Sequence, residues 1–165
     1  IEGAAAIGNE ILLSNRGNKN RPDNHLIKTV SDFFTKQEEI ISGIAILDIN
    51  RDNAAPAGVS ALCYSDCNDT LFFTASTELT ENAIDDGEIG DSYLGMVQQI
   101  SLKLEQEIIE PDMMINLSKS NSVFNTEKIE SLCIEQHDKE RIIFHLVSDN
   151  DDGKTGLFKI AVTGF

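Results

Sequence analysis

Basic side chains are scarce in this chain: 13 Lys and Arg stand against 28 Asp and Glu, for a formal net charge of -15 over 165 residues. A surface of that sign repels phosphate backbones and anionic lipid, which argues against nucleic-acid and membrane-surface binding. It attracts a cationic ligand, a divalent metal or a basic partner. Cysteines number only three, Cys63, Cys67 and Cys133. An odd count in a chain of this length excludes a disulfide-built scaffold, and unpaired thiols lean towards the cytoplasm. Cys63-x-x-x-Cys67 has no second pair and no nearby histidine, which argues against zinc. Cys63 and Cys133 fall in apolar strand patterns and are expected to be buried small hydrophobes. No apolar run approaches the ~18 residues that a membrane-spanning helix needs. Also absent are a Gly-x-Ser-x-Gly elbow, a phosphate-cradling glycine loop and any ligand-like spacing among His25, His137 and His145.

What is present is a repeat. Ile1-Glu2-Gly3-Ala4-Ala5 is echoed by Val59-Ser60-Ala61-Leu62-Cys63 and by Ile129-Glu130-Ser131-Leu132-Cys133. After a polar turn, each copy is followed by a strand-forming run: residues 10–14, 70–74 and 141–148. A period of about 60 to 70 residues filled with strands predicts propeller blades or a similar β array. The expected fold is therefore all-β, with about three four-stranded antiparallel sheets over 1–57, 58–127 and 128–165. Strands are expected over 1–7, 10–16, 25–30, 40–49, 70–76, 93–104, 113–117, 129–135, 141–148 and 156–162, with the first strand of the second sheet beginning near residue 59. Residues 91–109 also read as a helix through Met96, Val97, Ile100, Leu104 and Ile108, but Ser92 to Val97 aligns with Thr155 to Ile160 of the third repeat. Runs such as Leu71-Phe72-Phe73 are apolar on both faces, as sheets packed between sheets require.

Turn chemistry separates the strands. Ser65-Asp66-Cys67-Asn68-Asp69 and Asp149 to Lys154 are rich in residues that tolerate left-handed backbone, and Gly153 suits a positive φ. Three acidic strings imitate calcium loops: 48–52, 85–88 and 149–153. None has the spacing of an EF-hand, so each reads first as a polar turn. Three blades do not close a propeller. The chain begins inside a strand pattern and stops where a fourth strand of the third blade would start. It therefore reads as a fragment, or as a piece that completes itself by self-association with another copy.

Several phrases resemble the phytase-like (esterase-like) β-propellers of bacteria, in particular an uncharacterised group within that class. They are Ile1-Glu2-Gly3, its echo Ile129-Glu130-Ser131, Val147 to Gly153, and Leu71 to Glu78 with Asp85 to Gly95. The resemblance implies a propeller of six blades, of which this chain is about half. It also implies calcium held by clustered carboxylates as a cofactor, and a calcium-dependent phosphoesterase or esterase activity.

In a propeller the first strand of each blade lines the channel, and ligands bind where loops converge at the rim. The repeat places Glu2, Ser60 and Glu130 at equivalent positions near the axis, with Asn15-Arg16, Ala75-Ser76 and Asp149-Asn150 at the exits of the second strands. The candidate ligand site is therefore Glu2, Arg16, Glu130, Asp149 and Asn150. Glu2, Glu130 and Asp149 are the candidate metal ligands, since a hard divalent ion takes about six oxygens. The structural alternative is that Glu2 and Glu130 cap neighbouring strands or pair with Arg16. The expected function is a binding or scaffold domain for a small molecule or protein of unknown identity, with the calcium-dependent hydrolase as the alternative.

Overall fold

The computed structural model describes residues 1–35, 40–50, 56–78, 89–150 and 153–164. The acidic string 85–88 and parts of the strings 48–52 and 149–153 lie outside the described residues. The fold is all-β, built from three antiparallel sheets. Sheet one contains β1 (Gly3–Ile7), β2 (Glu10–Ser14), β3 (Asn24–Val30) and β4 (Ile41–Leu47), joined in that order. Sheet two begins with β5 (Ala57–Ser65), β6 (Thr70–Glu78) and β7 (Ile89–Val97). The chain then makes one short helix, α1 (Ile100–Lys103), and adds β8 (Ile108–Ile109) to the far edge of sheet one. It returns as β9 (Met113–Asn116), the fourth strand of sheet two. A second short helix, α2 (Leu117–Ser120), leads to sheet three: β10 (Ile129–His137), β11 (Arg141–Ser148) and β12 (Leu157–Thr163).

The strand expected over 93–104 ends at Val97, because Gln99 turns the backbone left-handed at φ 53° and a helical turn follows. That turn buries Ile100 and Leu104, four residues apart on one face. The carboxylate of Asp69 holds it by accepting from the Ser101 N–H at 3.0 Å and the Ser101 hydroxyl at 2.8 Å. Sheet one has five strands rather than four: β8 pairs in parallel with β4, Ile46 opposite Ile108 and Leu47 opposite Ile109. The Ser65–Asp69 turn takes the left-handed backbone its composition favours, with φ 56° at Asn68 and 51° at Asp69, and Gly153 has φ 81°.

Alternation within each strand sends side chains to two faces, and the sheets stack in the order one, two, three. Leu12, Leu26 and Leu47 of sheet one pack against Val59, Phe73 and Val97 of sheet two. On its opposite face sheet two sets Phe72, Leu94 and Met96 against Ile142, Phe144 and Leu146 of sheet three. Sheet two is therefore apolar on both faces because both are covered. The first strands lie together, β5 touching both β1 and β10. Cys63 is half-buried and Cys133 exposed, against the expectation that both are buried. Cys133 pairs across the ladder with His145, which sits opposite Lys159, on the face of sheet three that no other sheet among the described residues covers.

Candidate functional site

Antiparallel pairing brings the start of each first strand beside the end of the second. Gly3 lies opposite Ser14, Ala61 opposite Thr74 and Ser131 opposite Val147. Residues just outside these three rungs therefore share one rim, and Arg16, two residues beyond β2, reaches furthest across it. Its Nη1 donates to Glu130 Oε1 at 3.1 Å, and its Nη2 donates to Ser76 Oγ at 2.8 Å. Arg16 belongs to the edge of sheet one, Ser76 to β6 and Glu130 to β10. One guanidinium thus joins all three sheets.

The approach depends on Gly58 of β5. A Cβ at Gly58 would overlap Arg16 Cγ and the carbonyl oxygen of Gly17, so this position takes glycine for lack of space rather than for backbone freedom. Lys128 Nζ lies 3.6 Å from the same Glu130 oxygen. The side chains of Arg16, Lys128 and Glu130 are only 18%, 12% and 24% exposed. Burial pushes the Glu130 carboxyl above its ordinary value. Arg16 and Lys128 pull against that rise, and the carboxylate of Glu2 adds to it.

The remaining candidate residues are placed differently. Glu2 is exposed and its backbone N–H continues the β1–β2 ladder to Ser14 O at 2.9 Å. Asp149 and Asn150 bond the backbone that leads into β10. The Asp149 N–H donates to Lys128 O at 3.0 Å, and the Asn150 side-chain carbonyl accepts from the Lys128 N–H at 2.9 Å. The Asn150 amide also donates to Glu127 at 3.0 Å, which accepts from the Ser148 hydroxyl as well. Ser60 is buried and donates to Ile129 O at 2.6 Å, a link between sheets two and three.

The metal trio Glu2, Glu130 and Asp149 does not assemble. Among the described residues no group of three or more His, Cys, Asp or Glu is placed to hold an ion. The reason is local: Glu130 is committed to two cations. Nor do the histidines meet. His137 Nδ1 is 2.8 Å from Ser65 Oγ, whereas His145 Nε2 is 2.5 Å from Glu135 Oε2. Lys128 has no counterpart in the repeat and no motif marks it. Ser76 sits at the second-strand exit of sheet two, the position that Arg16 holds in sheet one.

The profile of a family of unknown function, DUF6929, matches residues 1–162, a span that takes in all three sheets but for the last residue of β12. The chain belongs to this family. No curated protein matches it. Family membership therefore names no chemistry. A half-buried arginine bonded to a carboxylate with a raised pKa offers a donor fork and an acceptor that can also take up a proton. No helix among the described residues is long and apolar enough to cross a membrane.

Proposed function

We propose that the three sheets are consecutive blades of a β-propeller, and that this domain binds a polar small molecule at the rim over Arg16 and Glu130. The observation that supports it most is the single guanidinium bonded to sheets two and three from the edge of sheet one. A rim where loops and strand ends of several blades converge is where such architectures place ligands. The ligand that fits offers an acceptor to Arg16 or Lys128 and a donor to Glu130, as amides, amino acids and polyols do. Calcium-dependent ester hydrolysis has less support, because the carboxylates it needs are not clustered among the described residues.

The test is a thermal-shift screen with amino acids, amides, polyols and carboxylates against the wild type, Arg16→Met and Glu130→Gln. At least one class is expected to raise the melting temperature of the wild type by several degrees, as saturating ligand does by mass action. Both variants should lose that response. A shift that persists in both variants, or no shift with any class, would overturn the reading.

A further inference from the structure

Sheets one and two each carry, in the first half of the third strand, one buried polar side chain that clasps the next sheet. In sheet one it is Asn24, 1% exposed: its amide donates to Ala57 O at 3.0 Å and its side-chain oxygen accepts from the Val59 N–H at 2.8 Å. In sheet two it is Ser92, 0% exposed: its hydroxyl donates to Glu127 O at 2.7 Å and accepts from the Ile129 N–H at 3.3 Å. The bonded carbonyl lies two residues before the bonded N–H in both cases. Val59 and Ile129 are also the repeat-equivalent residues that open the first strands. The clasp is thus a property of the repeat, made once by an amide and once by a hydroxyl.

The register places a third copy. Two residues after each clasp comes a leucine on a three-strand rung. The rungs are Gly3–Ser14–Leu26, Ala61–Thr74–Leu94 and Ser131–Val147–Leu157. Two residues before Leu157 stands Thr155, a hydroxyl able to donate and accept as Ser92 does, and it is exposed. Leu26 and Leu94 are both 0% exposed under the next sheet, whereas Leu157 is 73% exposed. Sheet three therefore presents the same docking face as sheets one and two, but uncovered.

The opposite end of the stack presents what that face receives. The rung Leu62–Phe73 of sheet two and the rung Leu132–Leu146 of sheet three are buried against the preceding sheet. Their counterpart in sheet one is Ala4–Leu13–Ile27–Ile44, with Ile44 55% exposed. We infer that sheet one of a second copy of this chain docks on the outer face of sheet three, Leu157 packing against that rung and Thr155 receiving the backbone at the start of its β1. The interface is heterologous, the outer face of sheet three meeting sheet one. Two copies related by a two-fold axis make it twice. The inference rests on the register of the repeat and not on what the rim binds.

Sedimentation of Leu157→Lys, Ile44→Lys and their mixture tests it, since both positions are exposed and lysine lowers the net charge rather than adding repulsion. The wild type is expected to dimerise at micromolar concentration. Each variant alone carries the lysine in both interfaces of the pair and should associate at least about tenfold more weakly, since two apolar side chains per dimer are no longer buried. An equimolar mixture should regain association, because one unaltered interface then forms between the two variants. A monomeric wild type, a single variant that dimerises as tightly as the wild type, or a mixture no stronger than its components would overturn the inference. Circular dichroism of each variant confirms that the fold is kept.

Discussion

Phe72→Ala is expected to lower the stability of this domain by about 3–5 kcal/mol, measured by urea unfolding. Phe72 is fully buried at the centre of the second core. Its ring meets Phe144 of sheet three at 5.0 Å and 71°, and His137 at 5.5 Å and 74°, both edge-to-face. Truncation removes the transfer energy of the ring and leaves a cavity between two sheets that their other side chains hold apart. The edge-to-face attraction to Phe144 goes as well. Single domains are stable by only about 5–15 kcal/mol, so this one change takes a large fraction. Phe72→Leu should recover most of it by refilling the space.

The second large effect is at Asn24. Its side-chain oxygen accepts from two backbone donors, the Gly17 N–H at 2.7 Å and the Val59 N–H at 2.8 Å, both in buried surroundings. Asn24→Ala orphans both donors, and a buried unsatisfied group costs about 1–3 kcal/mol. The carbonyl of Ala57 keeps a partner in Asn50 at 3.1 Å, so it adds little. The expected loss is about 2–4 kcal/mol in the same unfolding measurement. An effect below about 0.5 kcal/mol would show that the clasp between sheets one and two does not hold them together, since surface changes away from such features stay in that range.

The strand order within each sheet was legible because the repeat marks it. Small or apolar residues at Gly3, Ala61 and Ser131 sit on equivalent rungs, and the runs after them carry β-branched and aromatic side chains. Strand β8 was not legible: Ile108 and Ile109 pair with a strand some 60 residues earlier, and two residues carry no periodicity of their own. The short helix at Ile100 does carry a helical spacing in Met96, Val97, Ile100 and Leu104, but the alignment of Ser92 to Val97 with the third repeat extends the strand pattern over it. At the rim, the repeat placed Arg16 and Glu130 at strand ends, where the structure bonds them. It does not mark that the Asp149 N–H and the Asn150 side chain bond the backbone of Lys128, since no repeat position corresponds to those contacts. Exposure of Cys133 follows from the outer face of sheet three being open, which local sequence does not record.

Titration of the Glu130 carboxyl by carbon-detected NMR bears most directly on the claim that three sheets converge on one rim cluster. A folded-state pKa above the unfolded value means that the folded state binds the proton more tightly. Stability from this group is then present at low pH and falls as pH rises from the ordinary glutamate value through the raised one. The Glu130 midpoint is expected above that of an ordinary glutamate, set by burial against the pull of Arg16 and Lys128. Arg16→Met should raise the midpoint further, because it removes the nearest cation while the carboxyl stays buried. A midpoint at or below the ordinary value that Arg16→Met leaves in place would contradict the account, since Arg16 and Glu130 would then not share the site.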